Sequence, residues 1–266
     1  MAIQLGAHVD QTDPIGQAEI LGAQVIQINL GDPQAWRGHQ VAYPGGATAL
    51  RAAAAAAGVG IYVHTPFVLN LASTNNRIRI PSRKLLQQQV DLAAEIGARG
   101  VIVHGGHVGS GDDPEAGYLN WFKAIDGLRG ECPVLIENTA GGSNAMVRRV
   151  AGIERLWAAI GRAAGFEQVG FCLDTCHAHA SGEPLEHLAA RIREITGRID
   201  LVHANDSRDT AGSGADRHDN LGAGQLAERA LVEMIVEAQA PVIVETPGGL
   251  AAQQRDLDWL RARLPS

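Results

Sequence analysis

Two short clusters, Asp174-Thr175-Cys176-His177 and Asp216-Arg217-His218, place imidazole and carboxylate side chains two or three residues apart. Around them in the chain, His64, His104, Glu137, His203 and Glu245 each end a short apolar run. Together these are nine potential metal donors, five of them histidines. One ion takes roughly four to six ligands, so nine point to a cluster of two or three divalent ions, and the chemistry on offer is that of bound metal.

The elements that must position them alternate along the chain. Runs rich in β-branched residues (IQLGAHV, QVIQINL, GIYVHT, GVIVHGG, PVLIEN, VGFCLD, DLVHAN and PVIVET) read as eight strands, separated by alanine- and leucine-rich stretches. Helices are predicted over Ala49 to Ala57 before Gly58, over Arg83 to Ile96 after a Ser82 cap and before Gly97, and over Ala145 to Ala164 before Gly165. Nothing like a linker interrupts the alternation, so the expectation is a single (β/α)8 barrel over residues 1–266. The alternative, an open doubly wound sheet, is weakened because no G-x-G-x-x-G follows the first strand.

His8, Asn29, His64, His104, Glu137, Asp174, His203 and Glu245 fall in the last two or three residues of successive strand runs. Barrels carry their active sites at that C-terminal rim. One strand-terminal histidine is ordinarily a satisfied structural residue. Eight polar groups on one rim, without metal or substrate, would be costly. His8 and Asn29 suit hydrogen bonding to the ligands better than direct coordination.

Composition fits a soluble enzyme, with 45% hydrophobic and 19% charged residues. No apolar run approaches the roughly 18 residues of a membrane span, and MAIQLGAHVD lacks the regions of a signal peptide, so a cytoplasmic protein without membrane contact is expected. Cys132, Cys172 and Cys176 are too few for a disulfide framework and lack C-x-x-C spacing, so they read as small buried thiols rather than zinc ligands. A net charge of −7 argues against a generic nucleic-acid binder but not a specific one, because three divalent ions would nearly cancel it. A basic stretch from Asn76 to Lys84 reads either as a solvated helix start or as a phosphate contact.

The segments HTPFVLNLAS, VIVHGGHVG, IENTAGGSN, CLDTCHAHASG, VHANDSRD, GSGADRHDNLGAG and IVETP, with GAHV near the start, resemble endonuclease IV, the zinc-dependent AP endonucleases of base-excision repair. The resemblance implies three zinc ions. His64 and His104 would hold one, Glu137 would bridge it to a second held by Asp174, His203 and Glu245, and His177, Asp216 and His218 would hold the third. Manganese is a plausible substitute in part of such a site. It also implies double-stranded DNA with abasic sites as substrate, and a nick 5′ to the abasic sugar that leaves a 3′-hydroxyl and a 5′-deoxyribose phosphate.

Phosphodiester hydrolysis has reason to use such a site. The substrate's negative charge repels hydroxide and its alkoxide leaves poorly, and paired ions about 3.5–4 Å apart answer both difficulties. A carboxylate is the natural bridge, since it has two oxygens where a histidine offers one lone pair. Relatives in the family kink DNA and fill the gap left by the displaced sugar with rim side chains. The matching loops here carry Gln34, Ala35 and Trp36, then Phe67 and Val68, with Gln34 and Phe67 standing where many members have arginine or tyrosine. Trp36 and Phe67 read equally as packing residues. Arg217, inside the D-R-H cluster, is a further candidate DNA contact. His107 lies three positions after His104 where relatives have four, and is not counted as a ligand. A monomer is expected, because the rim must accept a duplex.

Two other classes fit the architecture: a metal-dependent sugar isomerase or epimerase, and a noncatalytic lesion-binding protein. The isomerase would have no use for the His177, Asp216, His218 set, and the lesion binder no need of Glu137.

Overall fold

Inward and outward residues alternate along every strand, and that period of two builds the molecule. In the computed structural model, which describes residues 2–265, eight parallel strands close into a barrel. In chain order the barrel strands are β1 (Leu5–His8), β2 (Val25–Asn29), β3 (Gly60–His64), β4 (Gly100–His104), β5 (Val134–Glu137), β6 (Val169–Asp174), β7 (Leu201–His203) and, after a small two-stranded ribbon, β10 (Val242–Val244). The ribbon pairs β8 (Asp206–Ser207) with β9 (His218–Asp219) in antiparallel fashion. β1 pairs with β10, which closes the barrel and excludes the open sheet.

Register puts the rim residues level with one another. Asn29 stands opposite His64, His104 opposite Glu137, and Asp174 opposite His203. One step below, Val25, Tyr62, Ile102, Leu135, Cys172, Leu201 and Ile243 form a small buried cluster separate from the main core. Two residues further along the same strands stand Gln27, His64, His104, Glu137, Asp174, His203 and Glu245. The barrel interior is thus an apolar layer under a polar one. Gly6, on β1, leaves the backbone of Val25 room to approach, because a Cβ there would stand 1.6 Å from the Val25 carbonyl oxygen.

The main core lies between the strands and an outer ring of helices: α1 (Pro14–Leu21), α2 (Gly46–Ala57), α3 (Asn76–Ile96), α4 (Pro114–Asp126), α5 (Val150–Ile160), α7 (Leu188–Thr196), α8 (Glu228–Ala238) and α9 (Gly249–Arg261). A short helix, α6 (Thr175–Ser181), lies on the rim after β6. Gly58 and Gly97 end α2 and α3 in the left-handed conformation, as their positions predict.

The helix starts differ from expectation. α2 begins at Gly46 rather than Ala49. α3 begins at Asn76, capped by Asn75, whose side chain accepts from the Arg77 amide. Ser82 is therefore not a cap. It is buried in the second turn, with its hydroxyl donating to the Ile78 carbonyl and accepting from the Asn70 amide. α5 begins at Val150 rather than Ala145, because the preceding residues pair back on the loop after β4. Met146 donates to the Gly106 carbonyl at 2.9 Å, and Ala145 bridges His107. It also stops at Ile160, short of Ala164. The three cysteines are buried and free. Among the described residues no helix is long and apolar enough to cross a membrane.

Candidate metal centre

Glu137 stands at the middle of the polar layer, 1% exposed, and its two oxygens face different pairs of imidazoles. Oε2 lies 3.3 Å from both His64 Nε2 and His104 Nε2. Oε1 lies 3.1 Å from His203 Nδ1 and 3.3 Å from His177 Nδ1. Donor atoms converge in sets that share this carboxylate: His64, His104 and Glu137 in one, and Glu137, Asp174, His203 and Glu245 in another. Asp174, His177 and His218 also converge, and Asp216 Oδ1 lies 3.1 Å from His177 Nε2 and 3.2 Å from His218 Nε2.

Local structure explains the spacing of both sequence clusters. Asp174 is the N-cap of α6 and accepts from the amide of His177 at 2.6 Å, so a carboxylate and an imidazole three residues apart meet at one helix end. The loop bearing Asp216 and His218 is tied back by the ribbon and by Asp206, whose carboxylate accepts from the amides of Gly222, Gly224 and Leu226. No periodicity reveals that arrangement.

Three neutral amides that the sequence reading missed hold the cluster. Asn138 clamps the Asp174 backbone from both sides, accepting from its amide at 2.8 Å and donating to its carbonyl at 2.9 Å. Asn205 donates to Asp174 Oδ2 at 2.7 Å and accepts from the Glu245 amide at 2.9 Å. Gln27, fully buried, reaches His203, Glu245 and His8. A period of two counted back from Asn29 would have found Gln27. His8 contacts Gln27 and stands 3.8 Å from Glu245, and Asn29 donates to the His64 carbonyl, so both flank the donor sets along the cleft wall.

Charges in this cluster compensate one another. Burial disfavours the Glu137 anion, yet His104 and His203 hold its carboxyl well below the usual range. Burial opposes the Glu245 charge too, and His203 and His64 bring it down to about 2. Against burial, Asp216 and Asp174 raise His218 to about 9. Burial lowers His104 and His8 to about 4 and raises Asp174.

The donor set suits zinc. His177 Nε2 and His218 Nε2 are buried and have no hydrogen-bond partner of acceptable geometry, although Asp216 is close to both. His177 Nδ1 donates to the Asn138 carbonyl and His64 Nδ1 to the Thr65 carbonyl, each at 2.8 Å. That leaves their Nε2 lone pairs pointing into the cluster. Nitrogen and oxygen donors without thiolate are typical of zinc. Cys172 belongs to the apolar layer below. Cys176 comes within reach of Asp216 and His218, but burial pushes its thiol up to about 12.

The profile of the family described as xylose isomerase-like TIM barrel matches residues 15–263. A protein of Mycobacterium leprae (strain TN), named probable endonuclease 4, is 53% identical over 259 residues, 97% of this chain and 98% of its own length. The chain belongs to the endonuclease IV family. Among solved structures, endonuclease IV from Thermus thermophilus superposes with a TM-score of 0.82 at 27% identity, covering 97% of this chain and 98% of that one. A D-tagatose 3-epimerase-like protein superposes at 0.76 over 98% and 97%, but at 19% identity that likeness shows the fold alone.

In this endonuclease IV family member the donor cluster opens into a cleft of about 480 Å³ lined by His8, Phe67, His104, Asp216 and Thr246 among others. Phe67 is 60% exposed and its ring stacks on His104 at 5.9 Å, so it touches the donor shell as well as the cleft. Val68 is half-buried against the main core. Gln34 is exposed in a turn held by Asp32. Trp36, 40% exposed, lines a separate groove with Arg37, Arg77, Ile80, Pro81 and Lys84. The basic stretch is therefore divided. Arg79 donates to the Ser73 and Thr74 carbonyls and Arg83 to the Asn120 carbonyl, while Arg77 and Lys84 are exposed and have no ion-pair partner among the described residues. Arg217 is exposed, but its guanidinium forks onto Asp209. His107 lies outside the donor sets, held to Asn70 through its backbone.

Proposed function

We propose that this chain is a zinc-dependent AP endonuclease that hydrolyses the phosphodiester 5′ to abasic sites in double-stranded DNA, leaving a 3′-hydroxyl and a 5′-deoxyribose phosphate. The observation that carries the reading is the split of the Glu137 carboxylate between two imidazole pairs, inside a cluster of overlapping sets that takes in all nine donors. His64, His104 and Glu137 would hold one ion, and Glu137, Asp174, His203 and Glu245 a second. His177, Asp216 and His218 would hold the third, with manganese able to replace zinc in part. Bound there, the ions would supply Lewis acidity toward phosphate oxygens and a water acidic enough to ionise near neutral pH.

The chain's own residues would orient the donors and receive the duplex. Asn138 fixes the backbone of Asp174, and Asn205 and Gln27 hold the side chains of Asp174, His203 and Glu245, before substrate arrives. Phe67 lies at the cleft mouth, where a ring can fill a gap in the base stack. The same reading takes the chain to act as a monomer in the cytoplasm. The isomerase reading leaves the His177, Asp216, His218 grouping without a role, and the 19% likeness to an epimerase-like protein extends only to the fold.

The deciding test is incubation with a duplex bearing one tetrahydrofuran abasic analogue, followed by mapping of the ends. That analogue cannot undergo β-elimination, so a nick 5′ to it with a 3′-hydroxyl reports hydrolysis. An intact duplex under zinc-replete conditions would remove the proposal.

The groove beside Trp36 yields a smaller expectation. Arg77 and Lys84 are free to meet phosphates, so Arg77→Ala with Lys84→Ala should weaken binding and flatten its salt dependence by about one contact per residue. Cleavage at saturating protein should stay unchanged. An unaltered salt slope would place the duplex elsewhere.

A further inference from the structure

Four of the clustered histidines show which ring nitrogen is turned inward, and one differs from the rest. His64 and His177 donate from Nδ1 to backbone carbonyls and present Nε2. His218 has Nδ1 3.4 Å from the Glu245 carbonyl and also presents Nε2. His203 is reversed: its Nδ1 faces Glu137 Oε1 at 3.1 Å and Glu245 Oε2 at 3.2 Å, while Nε2 lies 2.8 Å from Gln27 Oε1.

The orientation of Gln27 follows from its neighbours. Glu245 Oε1 is 2.6 Å from one end of the Gln27 amide, and an ionised carboxylate can only accept. That end must be the NH2 group, which also meets His8 Nδ1 at 2.9 Å. The other end is then the carbonyl, so His203 must carry its proton on Nε2. Its Nδ1 lone pair is left for metal.

We propose that Gln27 is a positioning residue that sets His203 as an Nδ1 ligand, passing the orientation of one ligand, Glu245, to another through a single buried amide. This rests on the metal-binding reading of the site. Gln27 is buried, is anchored on β2 away from every donor in sequence, and makes all its side-chain hydrogen bonds to rim groups, so a purely packing role does not account for it.

The test uses the full chain, 15N-labelled at histidine and titrated with zinc chloride. In the zinc-loaded wild type, His203 should show a protonated Nε2 and a metal-bound Nδ1, the reverse of His64 and His177. Gln27→Leu should lower zinc affinity by about 10- to 100-fold and lose the fixed His203 tautomer. Gln27→Glu keeps an acceptor for Nε2–H and should retain the tautomer, while its charge disturbs Glu245. A wild-type His203 protonated on Nδ1 would overturn the proposal, as would a Gln27→Leu protein with unchanged affinity and tautomer. If Gln27→Leu does not fold, the wild-type and Gln27→Glu spectra still decide. A wild type that takes up no zinc refutes the metal reading itself, and is seen before any variant is compared.

Discussion

Glu137→Gln is expected to keep the barrel and the affinity for abasic duplex while slowing incision by at least about 10³, roughly 4 kcal/mol of barrier. The change removes almost no volume. What it removes is one of two acceptor oxygens. Each Glu137 oxygen faces its own pair of imidazoles at 3.1–3.3 Å, and an amide can offer an oxygen to only one pair. The NH2 end would then point hydrogens either at Nε2 of His64 and His104 or at Nδ1 of His203, whose lone pairs the metal reading needs. One donor set must lose its share of the bridge. The barrel should survive, because its stability lies in the apolar layer and the outer core rather than in this carboxylate. Circular dichroism, duplex binding and single-turnover cleavage separate these effects. Near-normal turnover would take the bridge out of the mechanism.

The donor layer was legible because strand period and rim position coincide. Two residues beyond each apolar position in the barrel interior comes a polar one, and a histidine or carboxylate there stands out against valine and isoleucine. Gln27, Asn138 and Asn205 did not stand out. A neutral amide carries no charge signal, and its role depends on partners distant in sequence, such as Glu245, 218 positions after Gln27. Asp216 and His218 were identifiable by their spacing and by resemblance alone, since the loop that carries them is placed by Asp206 and a two-residue ribbon. Helix starts failed for a similar reason. Asn75 rather than Ser82 caps α3, and the residues expected to open α5 are drawn off by a contact with the preceding loop. Arg217 shows the limit for surface contacts, because a cation that reads as free in sequence is paired with Asp209 in the fold.

Stripping the zinc is expected to abolish incision and lower the melting temperature without unfolding the barrel, and restoring zinc should recover both. Gently purified chain should carry between two and three zinc ions. The apo cluster has a means of persisting: against burial, Asp174, Asp216 and Glu137 raise His177 well above its ordinary range, and Cys172, Glu245 and Glu137 do the same for His203, so ion pairs replace coordination. That substitution is incomplete, since buried charges in pairs still carry a desolvation cost. Each site occupied at a free zinc concentration about 1,000 times its dissociation constant adds roughly 4 kcal/mol to stability, so melting should shift with zinc concentration. Calorimetry across a zinc titration measures that slope, and elemental analysis gives the count. Fewer than one zinc per chain, together with full incision in a strong chelator, would end the metal reading.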